Sequence, residues 1–221
     1  MKIAHRGASG YEFENSMAAF RKAIELGVSV IELDLQRTAD GKFAVFHDQK
    51  LDRCTNATGR IDSFTSAQLR DGVRLKNGEP IPELSEICKL FRGNNITGLF
   101  ELKNDNSAED FLRELSGQIP LENVIFESFF HQQLVDLKKK RPEVQICLIF
   151  KNFSDELAKN LQSSNAEYVA AQFGSVTTEQ VQDIKKAGIK ALVWTVNEPA
   201  DIAQAKKLKF DGIISNFPDR I

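Results

Sequence analysis

Short apolar runs alternate with stretches of helical periodicity along the chain. The runs at 2–6, 30–36, 98–102, 124–127, 145–150, 168–171, 191–196 and 212–215 have the length and the aliphatic content of strands. Between them, residues 16–26, 107–118, 131–140, 154–162, 178–187 and 199–207 place apolar side chains at the three- and four-residue spacing of amphipathic helices, as does 83–91 after a break. Gly27 and Gly188 read as helix stops and Pro199 as a first-turn residue. Strand–helix alternation eight times over predicts an α/β fold, a (β/α)8 TIM barrel, with a doubly wound parallel sheet as the alternative. A barrel would use all 221 residues as one domain.

Two stretches depart from this rhythm. From Val30 to Asp48 the pattern is period two, interrupted by Asp40-Gly41, the signature of a two-residue hairpin turn. Residues 43–47 then form an extra antiparallel arm, and counting outward sets Ala39 against Lys42 and Asp34 against His47. Alternation gives Glu32 and Asp34 one face and Ile31, Leu33 and Leu35 the other. The second departure, about residues 51–82, has polar turns and weak periodicity. It is expected as a small insertion after the hairpin, standing over the barrel mouth and shaping the pocket.

Charge and cysteine usage narrow the field. A net charge of −2 and a pI near 6.0 give no footprint for nucleic acid. The basic run Lys138-Lys139-Lys140-Arg141 closes a predicted helix, where cations suit the carbonyl end, and is expected to be solvated. Cys54, Cys88 and Cys147 are odd in number and lack metal spacing, which fits a reducing compartment, with Cys147 in the core. The start M-K-I-A-H-R-G has no apolar leader, and nothing approaches the ~20 apolar residues of a bilayer span. The expected location is cytoplasmic, with no stable membrane association.

Barrel enzymes carry their chemistry on the C-terminal ends of several strands. Here those positions hold His5 and Arg6, Glu32 and Asp34, His47 on the arm, Glu101 and Lys103, Glu127-Ser128, Gln172, Trp194 and Ser215-Asn216. Any one of them reads as easily as a bonded core polar group or a surface residue, and Trp194 alone reads as core. Convergence changes the balance. Three acids, two imidazoles, an Arg and a Lys at the first three strands would cost on the order of several kcal/mol of desolvation if they served nothing.

Glu32, Asp34 and Glu101 carry −3 together and call for a cation between them; all-oxygen ligands favour Mg²⁺ or Ca²⁺ over Zn²⁺. One divalent ion leaves −1, and Arg6 with Lys103 brings the site to +1, which suits a phosphodiester oxygen. His5 and His47 are the candidate acid–base pair, catalytic in either order. A Lewis-acid metal with two histidines is equipment for cleaving P–O bonds.

At these residues the chain resembles the glycerophosphodiester phosphodiesterase family. The resemblance rests on H-R-G-A-S-G-Y (5–11), E-N-S (14–16), the stretch 32–48 ending F-H-D, L-D-R-C-T-N-A-T-G (51–59), I-P-E-L (81–84), E-L-K (101–103), S-F (128–129), W-T-V-N (194–197) and D-G-I-I-S-N-F-P-D (211–219), all in family order. Phe13 and Ser16 stand where the family often has Pro and Thr. The resemblance implies a (β/α)8 barrel with an insertion after the hairpin. It also implies hydrolysis of small-molecule glycerophosphodiesters to sn-glycerol 3-phosphate and an alcohol, dependent on Ca²⁺ or Mg²⁺. In the implied roles His5 and His47 are the general base and acid, with the residues leaving open which is which, Glu32, Asp34 and Glu101 hold the metal, Arg6 and Lys103 bind phosphate, and Trp194 is an aromatic wall. A lysophospholipase D-like enzyme and a non-catalytic phosphodiester-binding barrel are the other readings. The first would want an apolar rim, and the second should have lost a histidine or a metal ligand.

Overall fold

In the computed structural model, which describes residues 1–152, 161 and 163–221, the apolar runs pair into one closed sheet. Its strands are β1 (Lys2–Ala4), β2 (Val30–Arg37), β3 (Phe43–Val45), β4 (Thr97–Leu102), β5 (Val124–Ser128), β6 (Gln145–Phe150), β7 (Tyr168–Gln172), β8 (Lys190–Trp194) and β9 (Gly212–Ser215). Each parallel strand pairs with its neighbours in chain order, and β1 joins both β9 and β2, which closes an eight-stranded parallel barrel. Helices Met17–Glu25, Leu84–Asn94, Ala108–Leu115, His131–Lys140, Thr178–Lys186 and Pro199–Lys207 surround it. Gly27 and Gly188 adopt positive φ just past their helices, as stops should. The helix expected at 154–162 falls outside the described residues apart from residue 161.

Strand alternation sorts the side chains. Ile31, Leu33 and Leu35 point outward into a layer shared with the helices, where Phe20, Phe91, Phe100, Phe111 and Phe126 are fully buried. Ile3, Val30, Leu99, Ile125, Cys147, Ile149, Tyr168, Leu192 and Ile214 fill the barrel interior. Glu32 and Asp34 point the same way as Val30, so β2 carries two acids into that interior. The parallel register sets Asp34 against Glu101, Glu101 against Glu127 and Glu127 against Cys147. Acids thus gather on neighbouring strands above the aliphatic plug.

The hairpin register differs from the expectation by one residue. Leu35 pairs with Val45, Gln36 with Ala44 and Arg37 with Phe43. The loop is Ala39-Asp40-Gly41, three residues rather than two: Thr38 N–H donates to Lys42 O at 2.9 Å, and Gly41 takes a left-handed φ of 75°. A turn ending in a left-handed glycine closes three-residue hairpins as readily as Asp-Gly closes shorter ones. Phe46, not His47, therefore faces Asp34, its N–H donating to Asp34 O at 3.0 Å. His47 lies beyond β3, where the chain turns in and Gln36 Nε2 donates to His47 O at 2.8 Å.

Residues 51–82 pack round a small core of Leu51, Cys54, Ile61, Leu69, Val73, Leu75 and Ile81, joined to Ala44 and Phe46 of the hairpin. They include a helix the periodicity missed, Ser66–Gly72, started by a capping box between Thr65 and Gln68. Asp40 holds that helix's first residue, accepting from Ser66 N and Ser66 Oγ. The basic run is solvated as expected at Lys139, Lys140 and Arg141, and Lys138 is the exception. Lys138 is mostly buried and donates to Val144 O at 2.6 Å and to Glu167, while Lys140 and Arg141 pair with Glu109 and Glu143. Cys54, Cys88 and Cys147 are free and buried. No helix among the described residues is long and apolar enough to cross a membrane.

Candidate active site

β1 stops at Ala4, and the chain then turns at Arg6 and Gly7, with φ of 54° and 79°. A Cβ on Gly7 would lie 2.6 Å from the Ala19 backbone carbon, so only glycine lets the helix Met17–Glu25 come this close. Left-handed φ is uncommon for an arginine, and the site holds it there. Arg6 N–H donates to Glu32 Oε2 at 2.7 Å, and its guanidinium reaches Asp34 Oδ2 at 3.1 Å and Glu14 Oε1 at 3.0 Å. The next helix begins at the Ser16 cap, whose Oγ accepts from Ala19 N and donates to Phe13 O. Ser at this position keeps both hydrogen bonds.

Oxygens of Glu32, Asp34 and Glu101 lie within 4.8 Å of one another, and all three side chains are buried. Lys103 Nζ sits 2.8 Å from Asp34 Oδ1 and 2.5 Å from Glu101 Oε1. Asn15 Nδ2 donates to Asp34 Oδ2 at 2.7 Å. The three carboxyls respond differently to the same burial. Burial alone would raise Asp34, but Lys103 and Arg6 outweigh it and hold it well below the usual carboxylate range. Burial, with Asp34 beside it, pushes Glu32 well above that range. Glu101 is pushed up to about 7, burial outweighing Lys103. Glu127, under burial and the charge of Glu101, also sits well above its usual range, with Cys147 Sγ–H donating to it at 3.5 Å.

This cluster fits a hard divalent cation. Its donors are carboxylate oxygens, the set such ions prefer. Asp34 Oδ1 and Glu101 Oε1 are buried, and among the described residues the partner they share is the Lys103 ammonium, at 2.8 and 2.5 Å. Positive charge is what the geometry asks for at that point.

Both histidines line the same cavity, of about 670 Å³, together with Arg6, Glu32, Glu101 and Lys103. Asp34 lies just behind that wall, fully buried. His5 Nδ1 donates to Asn216 Oδ1 at 2.6 Å and His47 Nδ1 to Asp48 Oδ1 at 2.6 Å. These acceptors fix the proton on Nδ1 and leave each Nε2 available. His5 Nε2 lies 4.0 Å from Glu32 Oε2. Burial and the neighbouring Arg6 lower His5 to about 4. Burial also lowers His47, against the pull of Asp34 and Asp48.

Behind His47 stands a clamp that sequence reasoning did not assign. Arg53 donates from Nε to Asp48 Oδ2 at 2.6 Å and from Nη2 to Asp48 Oδ1 at 3.1 Å. It also holds Glu14, from Nη1 at 3.0 Å and Nη2 at 2.7 Å, and Glu14 in turn accepts from Arg6. One guanidinium thus links the supports of His47 and of Arg6. No residue of 51–82 lines the cavity, contrary to expectation; that segment reaches the site through Arg53.

Of the remaining strand-end residues, Trp194 and Glu127 line the cavity and Asn216 supports His5. Trp194 Nε1 donates to Ala170 O at 3.2 Å, and its ring meets Phe129 edge to face at 5.9 Å. Ser128 and Ser215 are structural: Ser128 Oγ donates to Leu102 O, and Ser215 Oγ donates to Asn197. Gln172 is exposed and outside the cavity.

A (β/α)8 barrel with this mouth is a phosphoric diester hydrolase, and comparison with known proteins says of which kind. Residues 5–220 match the glycerophosphoryl diester phosphodiesterase family. A glycerophosphodiester phosphodiesterase of Caldanaerobacter subterraneus subsp. tengcongensis is 33% identical over 230 residues, covering 99% of this chain and 95% of its own. One from Bacillus altitudinis is 31% identical over 232 residues, with the same coverages. A solved Oleispira antarctica phosphodiesterase, in complex with the product sn-glycerol-3-phosphate, superposes with a TM-score of 0.91 at 26% identity over 99% of this chain and 94% of its own. The chain belongs to the glycerophosphoryl diester phosphodiesterase family.

Proposed function

We propose that the protein hydrolyses glycerophosphodiesters to sn-glycerol 3-phosphate and an alcohol, using one divalent cation, Mg²⁺ or Ca²⁺, and two histidines. The observation that carries this reading is the convergence of three buried carboxylates with His5 and His47 at one cavity. Glu32, Asp34 and Glu101 would hold the cation, which supplies charge neutralisation and Lewis acidity to the phosphoryl group. Arg6 and Lys103 hold the phosphate, and Trp194 forms an apolar wall.

The partners of the two rings divide their work. Burial and Arg6 oppose charge on both rings, but His47 bonds to an anion, Asp48, which favours its protonated form, whereas His5 bonds to the neutral Asn216. His5 therefore takes the proton from the attacking oxygen and His47 gives one to the departing alcohol. An oxygen–phosphorus bond forms and the phosphorus–oxygen bond to the alcohol breaks. A panel of glycerophosphodiesters supplied with Mg²⁺, Ca²⁺ or Mn²⁺ in turn, assayed for sn-glycerol 3-phosphate, tests the reading. At least one pairing should turn over, and none doing so refutes it.

Arg53 serves this chemistry from outside the cavity. Arg53→Ala is expected to lower kcat about tenfold to a hundredfold with a smaller change in KM, because Asp48 and Glu14 lose the group that fixes them. Arg53→Lys, which cannot grip two carboxylates bidentately, should recover only part of the rate. Steady-state kinetics on folded variants check this, and an unchanged kcat contradicts it.

A further inference from the structure

Among the described residues, four Lys and Arg side chains line the cavity, and they are not alike. Arg6 is paired with Asp34 and Glu14, and Lys103 with Asp34 and Glu101. Lys50 and Lys151 are exposed and have no carboxylate partner among the described residues. They enter from different staves, Lys50 beyond the hairpin and Lys151 just after β6. Lys151 Nζ lies 5.6 Å from the centroid of the Phe129 ring, within cation–π range. Phe129 in turn packs its edge or face at 87° against Trp194.

A quaternary ammonium or aminoalcohol headgroup seeks free aromatic faces and nearby carboxylates. Here the Phe129 face is already taken by an ammonium. Glu127, the lining acid of β5, is only 2% exposed and engaged with Cys147. A second cation brought into this wall would meet like charge, whereas an anion would meet two ammonium groups that no described carboxylate pairs with, in a concave, partly apolar mouth that focuses their field.

We propose that the alcohol released by this enzyme carries its own negative charge: a phosphorylated polyol of the glycerol phosphate kind, seated against Lys151 and the Phe129–Trp194 wall, with Lys50 adding to the field. This rests on the phosphodiesterase reading above and names the substrate class within it. In the step, water oxygen becomes bonded to phosphorus, the bond from phosphorus to the polyol oxygen breaks, and that oxygen leaves protonated. The second phosphate is a handle and does not react.

Three substrates differing in the charge of the alcohol test it: glycerophosphocholine, glycerophosphoglycerol, and glycerophosphoglycerol bearing a terminal phosphate monoester. For the wild-type enzyme, kcat/KM for the anionic substrate should exceed that for the choline substrate by about tenfold or more at low salt, and the ratio should shrink as salt screens the field. In Lys151→Gln the ratio should fall several-fold, and in Lys151→Glu it should invert; Lys50→Gln should lower it further in combination. Equal kcat/KM on all three substrates, or a preference for choline, overturns this inference while leaving the phosphodiesterase reading intact. No hydrolysis of any of the three overturns both.

Discussion

Replacing His47 with Ala is expected to lower kcat by about a hundredfold to ten-thousandfold, the range for loss of a general acid or base. His5→Ala should do the same. The fold should survive in the His47 variant, because the ring is about one-third exposed and its main bond is to Asp48 on the next residue. The two variants should differ when the alcohol is replaced by a better leaving group. If His47 is the acid, a nitrophenyl ester of glycerol phosphate needs little protonation, and His47→Ala should regain much of its lost rate. His5→Ala should not, since the attacking oxygen still has to lose its proton. Rescue of the His5 variant instead would reverse the two roles, and a wild-type rate in His47→Ala would remove that residue from the chemistry.

The second large effect concerns the acid cluster. Glu32→Gln should abolish cation-dependent turnover yet leave the cation-free protein as stable as the parent. Burial and the neighbouring Asp34 push the Glu32 carboxyl well above its usual range, so without a cation its charged form is disfavoured and glutamine is a close substitute, including as acceptor from Arg6 N. Asp34→Asn should behave differently. Asp34 is ionised between Lys103 and Arg6, and removing its charge leaves both cations buried without it, a loss of about 3–5 kcal/mol. Thermal melts separate the cases. A cation at a hundred times its dissociation constant stabilises the parent by about 2.7 kcal/mol, roughly 5–10 °C for a chain of this size. That shift should vanish in Glu32→Gln. A full cation-induced shift in that variant would place the ion elsewhere.

The barrel was legible because strand and helix periodicities differ and because each strand's polar residue interrupts an otherwise aliphatic face. Glu32, Asp34 and Glu101 follow from alternation alone once their strands are placed side by side. The hairpin register was less legible, since a turn over Ala39-Asp40-Gly41 and one over Asp40-Gly41 share the same residues and differ only in where the left-handed glycine falls. Helix Ser66–Gly72 left a readable trace in Thr65 and Gln68, three apart, but its seven residues are too few to show periodicity. Arg53 left none. Its meaning comes from meeting Glu14, 39 positions earlier, through a fold that no local pattern encodes. Asn15 is similar: an asparagine beside a helix cap looks like capping until its side chain is found on Asp34.

The most direct measurement is sn-glycerol 3-phosphate release from one glycerophosphodiester by enzyme freed of metal with a chelator, before and after a single divalent cation is returned. Turnover should fall to the background rate and come back on addition of Mg²⁺ or Ca²⁺, saturating at one ion per chain. Full turnover in excess chelator would mean that Glu32, Asp34 and Glu101 hold no catalytic cation.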